Sequence, residues 1–337
     1  MKPRVTALID TYNHEKYIRQ TILSVLDQGL SPEELEIVVV DDGSTDGTAL
    51  IVESFAPRVK LLRKKNGGQA SAFNTGFAAS TGEVVAILDG DDWWAKGKLR
   101  TVLKALEENP SVAAVSHGHY EVLEATGEIR ECRPPASTVV RIDTLREANG
   151  ASESWPFLLM GALTVRRTLL DWILPLPEEM IFMADSPIQV AAMFKGVLIL
   201  EEPLFNYRQH GQNLFALQEE NKVRARRKLE MVELVYKRMP GMFLRRGVRP
   251  ELVWGLLLPP QEHWFQVDPP TRMRFFWYLL RANYWSRSLQ TWRFTAIKYL
   301  AAFGALFFGY NDHGWRRRIT QGAERRYKRM LGMRAGS

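Results

Sequence analysis

The feature that most constrains this chain is the alternation of short apolar runs and helical segments across its first 90 residues. Three apolar runs, each long enough for one buried strand, lie at Val5–Ile9, Ile37–Val40 and Val84–Leu88, and Val59–Leu62 is expected as a further strand between the last two. Segments of helical character separate them at residues 13–26, 48–55 and 70–79. This order predicts an α/β fold with a doubly wound, mainly parallel sheet.

The first helix has recognisable signals at both ends. Asn13 is expected to cap it, with Glu15 in the first turn, where the helix dipole favours a carboxylate. The apolar face runs to Leu26, and Gly29 is expected to end the helix.

Polar segments follow three of the predicted strands, at Asp10–Asn13, Asp41–Ser44 and Asp89–Asp92. Ligands of doubly wound sheets bind beyond the carboxyl ends of the strands, which is where these segments fall. In extended backbone, Asp89 and Asp91 point the same way, and Gly90 between them allows a ligand to approach closely.

Two converging carboxylates suit a hard divalent cation, Mg²⁺ or Mn²⁺, bridged to phosphate oxygens. An acidic turn or a helix cap is the alternative for an isolated Asp-Gly-Asp, but its place after a buried strand favours the metal. The chain has neither a P-loop nor a Gly-x-Gly-x-x-Gly fingerprint, which argues against P-loop NTPases and dinucleotide dehydrogenases.

Several segments together resemble the inverting family 2 glycosyltransferases with the GT-A fold. These are ALIDTYNHEKYIRQTILSVLDQ, EIVVVDDGSTDGT, NGGQASAFNTGFAASTGEVVAILDGDDWW, FMADSPIQVAAMFKG and YRQHGQN. The resemblance spans roughly residues 4–213, with the motifs in the family's order. It implies transfer of a sugar, with inversion, from a nucleotide diphosphate sugar to an acceptor hydroxyl, with UDP the expected nucleotide and Mn²⁺ or Mg²⁺ the expected cofactor.

The resemblance also implies a set of site residues. It places Asp91 and His210 at the metal and leaves open how Asp89, Asp91 and Asp92 divide their roles. The expected nucleotide-sugar contacts are Thr11, Tyr12, Asn13, Glu15, Asp42, Gly68, Asn74, Asp89, Gly90 and Asp92.

An inverting transfer needs a base for the acceptor hydroxyl, and a carboxylate suits this role. Asp185 matches the last acidic position of the family's usual Glu-Asp pair, whereas Ala184 replaces the preceding Glu. Asp185 also precedes Ser186-Pro187, so a helix N-cap is a second interpretation. Another departure is Asp10, which stands where the family commonly has proline; it either affects nucleotide recognition or makes a turn hydrogen bond.

Two further stretches of the catalytic region carry predictions. Trp93 and Trp94 follow the acidic motif, and because side chains alternate along extended backbone at most one is expected to face a ligand. Val112–Val122 and Glu128–Cys132 are expected to pair as two strands.

Charge divides the chain into two predicted regions. Residues 1–220, the expected catalytic domain, carry a net charge of −10, whereas residues 221–337 carry +17 and six of the ten tryptophans. Basic residues interleaved with aromatic ones suit helices lying on an anionic membrane surface. A solvated basic bundle packed on the catalytic domain is the alternative. Nucleic acid is not expected as a partner, because no recognition motif is present.

These observations favour a peripheral enzyme at the inner face of the cell membrane, acting on a lipid-linked or other membrane-associated glycan. The opening MKPRVTALID lacks a signal-peptide core and the chain has one cysteine, so a reducing cytoplasm is expected. Two other functions stay open: a pyrophosphorylase-like nucleotidyltransferase and a catalytically silent membrane-binding scaffold.

Overall fold

A computed structural model describes residues 4–144, 158–211 and 237–250, together with positions 147, 213, 230, 234, 235, 252 and 253. The strands are β1 (Val5–Thr11), β2 (Leu35–Asp41), β3 (Lys60–Arg63), β4 (Val84–Asp89), β5 (Trp93–Trp94), β6 (Ala114–Leu123), β7 (Ile129–Cys132), β8 (Thr138–Val140), β9 (Thr164–Arg166) and β10 (Val197–Gln209). The helices are α1 (Ile18–Leu26), α2 (Thr48–Glu53), α3 (Gln69–Ala79), α4 (Lys98–Glu108), α5 (Arg167–Ile173) and α6 (Ser186–Lys195).

The strands form one sheet in the order β3-β2-β1-β4-β9-β6-β10-β5, with β7 added beside β6 and β8 beside β10. The four N-terminal strands are parallel, which confirms the predicted α/β fold. Helical segments connect them because parallel neighbours require a crossover.

Antiparallel pairs complete the second half of the sheet. The predicted strand pair is confirmed, since β6 and β7 pair antiparallel. The three-residue β9 was not expected, and it lies antiparallel between β4 and β6. It thereby joins the parallel half to β6 and β10, which run parallel to each other.

The start of α1 differs from the sequence expectation. The helix begins at Ile18 after Tyr17, so the predicted cap at Asn13 is wrong. Asn13 has a φ of 57°, and its side-chain oxygen accepts a hydrogen bond from the Thr45 amide at 2.8 Å. Glu15, expected in the first turn, accepts from the amide of Gly47 at 2.8 Å. Both side chains therefore tie the end of β1 to the loop after β2.

The other end of α1 also departs from the prediction. Asp27 is the C-cap, and Gly29 lies two residues beyond it with a φ of 69°. Gly29 thus turns the chain after the helix rather than ending it.

Apolar side chains cover both faces of the sheet. Helices α1, α2 and α4 pack on one face, and α3, α5 and α6 on the other. The second layer includes described residues after 230: Val235, Met239, Met242, Phe243, Leu252 and Val253 are all buried in it. The Phe243 ring lies 5.9 Å from that of Trp172 and 5.3 Å from that of Phe194. This part of the C-terminal region therefore packs on the catalytic layers.

Most predictions for the basic C-terminal region lie outside the described residues. They concern the amphipathic helix at Asn221–Arg238 apart from its last residues, the aromatic segment Thr271–Arg293, the apolar segment Phe294–Tyr310, and the basic groups Arg316–Arg318 and Arg325–Arg329. Within the described part of the chain, no helix has the length and apolar character that crossing a bilayer requires.

Candidate active site

The polar segments after the parallel strands meet at one edge of the sheet. Strand register places Asp10 beside Asp89 across β1 and β4, and Thr11 beside Asp41 across β1 and β2. This is the edge at which doubly wound sheets bind ligands. The acidic loop 89–92 therefore opens onto the edge that the sequence singled out.

Asp91 is the centre of this loop, and two histidines converge on it. Its Oδ2 lies 3.0 Å from Nε2 of His210 and 3.9 Å from Nε2 of His14. Burial alone would raise the pKa of Asp91, but the hydrogen bond to His210 and the charge of His14 hold it below its ordinary value. The Tyr17 ring stacks on His210 at 4.9 Å. Asp91 is thus a carboxylate poised beside two imidazoles.

Asp92 and Arg208 fasten the acidic loop to β10. The buried Asp92 carboxylate accepts a hydrogen bond from the Arg208 amide at 2.7 Å. Burial, followed by the charge of Asp91, raises the pKa of Asp92 well above its ordinary value. Arg208 also donates from Nε to the Asp91 carbonyl at 2.8 Å. Its guanidinium lies over the rings of Trp93, at 4.5 Å, and Tyr17, at 4.7 Å.

Asp10 and Asp89 form a second acidic pair next to Asp91. Burial, then the charge of Asp91, raises the pKa of Asp10 to about 7. Burial, then the charge of Asp10, raises the pKa of Asp89 well above its ordinary value. A position where the family commonly has proline therefore contributes a carboxyl group to the acidic cluster.

The carboxylate of Asp42 organises the loop that precedes α3. It accepts from Nζ of Lys64 at 2.6 Å, from the Gly67 amide at 3.0 Å and from the Gly68 amide at 2.7 Å. Gly68 has a φ of 82°, and a Cβ there would lie 2.6 Å from the main chain of Ile181. Glycine is therefore required at position 68 both for its conformation and for close approach.

The same loop is bonded to the segment that leads into α6. The Gln69 amide donates to the Ile181 carbonyl at 3.0 Å, and the Ala184 amide donates to Oε1 of Gln69 at 3.0 Å. Asn74 adds a pair of bonds, because its amide group both donates to and accepts from the Leu176 main chain. The Asn74 side chain thus links α3 to the main chain at Leu176. Its predicted nucleotide contact stays a prediction.

Asp185 stands at the start of α6, near enough to the acidic cluster for its charge to act on it. It is the N-cap residue of α6, as the second interpretation predicted, but its backbone is helical and its side chain makes no capping hydrogen bond. Instead its Oδ2 accepts from Nε2 of Gln189 at 2.8 Å. Burial raises the pKa of Asp185 to about 6. Its charge in turn raises the pKa of Asp10 and Asp89.

The remaining predicted positions border this cluster. Oγ1 of Thr11 lies 3.2 Å from Nδ1 of His14, and Tyr12 is exposed. A Cβ on Gly90 would lie 2.5 Å from the Thr11 hydroxyl and 2.7 Å from Nδ1 of His14. Only glycine therefore lets the acidic loop pass so close to β1.

The two tryptophans after the acidic loop point to different sides, as predicted. Trp94 is buried, and its indole donates to the Gly161 carbonyl at 2.8 Å. Trp93 is half-buried beside Arg208.

Sequence reasoning missed His14 and Tyr17 as members of the site. His14 lies in the polar loop after β1, and a single histidine in a polar loop has many ordinary explanations. Its approach to Asp91 depends on how the loop after β1 folds over β4, which no local pattern reports.

The donor set around Asp91 fits a divalent metal. It combines a carboxylate oxygen with two imidazole nitrogens, ligand types that divalent transition metals take in proteins.

Comparison with known proteins identifies the class. Residues 6–171 match the model of glycosyl transferase family 2. The chain is 33% identical over 216 residues to an uncharacterised glycosyltransferase of Nostoc sp. and 30% identical over 229 residues to the uncharacterised glycosyltransferase EpsJ of Bacillus subtilis. These matches cover 62% and 64% of this chain, and 66% and 63% of the relatives' lengths, just under two thirds.

Solved structures show the same architecture. TarS residues 1–349 of S. aureus, in complex with UDP-GlcNAc, superposes with a TM-score of 0.65 at 18% identity, covering 100% of this chain and 93% of that one. The mannosyltransferase PcManGT of Pyrobaculum calidifontis, in complex with GDP-Man and Mn²⁺, gives 0.51 at 22% identity, covering 96% and 85%. The fold is that of GT-A glycosyltransferases. Residues 6–171 therefore form a domain of glycosyl transferase family 2.

The raised pKa of Asp10 predicts a pH dependence of stability. In the folded state Asp10 keeps its proton up to about pH 7, whereas the ordinary value is 3.8. Its contribution to stability is therefore present below pH 4 and is lost as the pH rises through about 7. The unfolding free energy is measured by urea denaturation at about pH 5 and about pH 8, in the presence of a chelator. Its decrease between the two pH values should be smaller in Asp10→Asn than in the unsubstituted protein. The exposed Asp27→Asn is the control, and equal losses in all three proteins would contradict the prediction.

Proposed function

We propose that this protein transfers a sugar, with inversion, from a nucleotide diphosphate sugar to an acceptor hydroxyl in a metal-dependent reaction. The observation that carries the proposal is the hydrogen bond between Asp91 and His210 at the sheet edge, with Asp185 near enough to the same cluster to raise the pKa of Asp89. An ion-binding group and a carboxylate suited to act as a base thus share one site.

Asp91, with His210 and His14, would hold the Mn²⁺ or Mg²⁺. When bound, the ion supplies Lewis-acid stabilisation of the negative charge on the departing diphosphate. Arg208 is fixed beside Asp91 by its bonds to the loop and its two aromatic neighbours, so its guanidinium adds positive charge near the phosphates.

Asp185 would accept the proton of the acceptor hydroxyl. A base works best when its pKa lies near the working pH, and burial brings that of Asp185 to about 6. It is then ionised at neutral pH and still basic enough to take a proton. Gln189 donates to one oxygen of this carboxylate and thereby fixes its orientation at the start of α6.

The nucleotide would lie over the ends of β1 and β2. Support comes from the structural neighbours, which bind UDP-GlcNAc, UDP and GDP-Man. Thr11–Asn13, Asp42 and Gly68 line that side of the site, and Asp42 shapes it through the Lys64–Gly68 loop. We propose UDP as the nucleotide, on the family resemblance.

The acceptor would be a lipid-linked or other membrane-associated glycan. This proposal rests on the charge of residues 221–337, +17, and on their six tryptophans. Such a segment is attracted to the anionic inner surface of the cell membrane, where each basic residue contributes about 1 kcal/mol.

Two substitutions test the proposed chemistry. Asp91→Asn and Asp185→Asn should each lower kcat by about 100-fold or more, because one weakens the metal site and the other removes the base. Release of nucleoside diphosphate from a panel of nucleotide sugars with Mn²⁺ measures this, and the exposed Asp27→Asn should keep full activity. Full activity in both variants, or release of pyrophosphate instead, would overturn the mechanism.

A pH profile separates the base from a binding role. The kcat should rise through about pH 6 as Asp185 ionises. Gln189→Leu removes a hydrogen bond that lowers the pKa of Asp185, so the rise should move to higher pH. Met193→Leu, on the same helix, serves as the control. An unchanged profile in Gln189→Leu would argue against Asp185 as the titrating base.

Membrane attraction is tested in the full chain by charge removal. The double variant Arg316→Gln/Arg317→Gln should bind vesicles that contain anionic lipid about 10-fold or more weakly at low salt, where exposed charges are least screened. Co-sedimentation with the vesicles measures this affinity. Lys96→Gln with Lys104→Gln removes the same charge from two exposed side chains of the catalytic region and should have little effect. Equal binding by both double variants, or binding unaffected by salt, would reject the proposal.

A further inference from the structure

A second cluster of metal-ligating side chains lies on the β6–β7 hairpin. Ligand atoms of His119, Glu121 and Cys132 all lie within 4.8 Å of one another. The cluster shares no residue with the acidic loop around Asp91. We propose that these three side chains form a zinc-binding site separate from the candidate active site.

Sheet geometry brings the three residues to one face. His119 and Glu121 are two apart on β6, so their side chains point the same way. Cys132 on β7 is the direct antiparallel partner of His119. Side chains of direct partners lie on the same face of the sheet, which completes the group.

The buried histidine points to a missing ligand. His119 is only 3% exposed, and its Nδ1 is fully buried without a hydrogen-bond partner among the described residues. A buried polar atom without a partner costs free energy, so native structures normally supply one. A metal ion bound by His119 through Nδ1 would supply the missing partner.

The chemistry of the donors favours zinc. A thiolate, an imidazole and a carboxylate are the three ligand types that Zn²⁺ takes in proteins. In a tetrahedral site the ligand atoms stand about 3.5 Å apart, so the cluster has to contract by only about 1 Å from its 4.8 Å limit. Three protein ligands leave a fourth position for water or another group.

Arg130 would compete with a metal ion for the Glu121 carboxylate. Its guanidinium lies 3.5 Å from Oε2 of Glu121, in an ion pair between an exposed arginine and a half-buried carboxylate. Because the guanidinium is open to solvent, the pair contributes little free energy, and a metal ion would displace this contact. Removing the Arg130 charge should therefore preserve or strengthen metal binding.

The only cysteine of the chain makes the test selective. Co²⁺ is used as a coloured substitute for Zn²⁺, because a Co²⁺–thiolate bond absorbs in the near ultraviolet and Cys132 alone can form one. The full chain carrying Asp91→Asn, which weakens the other metal site, is titrated with Co²⁺. We expect saturation at one equivalent and loss of the absorption when Zn²⁺ is added.

Variants in the same background distinguish a three-ligand metal site from Co²⁺ binding to the cysteine alone. Cys132→Ser should abolish the absorption, and both His119→Gln and Glu121→Gln should weaken Co²⁺ binding by about 10-fold or more. Arg130→Gln is the matched control and should bind at least as tightly. Circular dichroism confirms folding, and the partly exposed Glu121 keeps the test decisive if the buried His119 variant fails to fold. No thiolate absorption in the parent, or equal affinity in Glu121→Gln, would overturn the proposal.

Discussion

The close approach of four carboxyl groups at one sheet edge is the constraint on which the site depends. Asp10, Asp89, Asp91 and Asp92 repel one another, and burial strengthens that repulsion because water screens it less. The protein responds unequally: Asp91 keeps its charge through two histidines, whereas the pKa values of the other three rise. The negative charge is therefore concentrated at the carboxylate proposed to hold the ion.

Residues at the end of strand β10 hold the acidic loop in place. Arg208 bonds to Asp92 through the main chain and to the Asp91 carbonyl through the side chain, and His210 follows directly. The acidic loop is near residue 90 and its partners are near residue 210, so the site exists only once the second half of the sheet has formed. The antiparallel β9 provides the link, since it joins β4 to β6 and thus to β10.

Local patterns predicted the parts of the structure that local physics determines. Strands β1, β2 and β4 were found because each is a mostly apolar, buried run, and the acidic loop stood out by its place after β4. Three-residue β9 is too short to leave a pattern. The cap of α1 was misplaced because Asn13 looks the same whether it bonds within its own helix or, as here, to Thr45 across a loop. His14 and Tyr17 were missed because their meeting with Asp91 and His210 is a property of tertiary packing.

The hydrogen bonds between the start of α3 and the segment before α6 have a consequence for how this chain can vary. Gln69 holds both Ile181 and Ala184, and Gly68 lies against Ile181 with no room for a side chain. The loop shaped by Asp42 and the segment carrying Asp185 are therefore one unit, although more than a hundred residues separate them. An insertion or deletion in either one would shift the reach of Asp185 unless the other changed with it. Their lengths are fixed jointly, which limits loop exchange between relatives at this point to paired replacements.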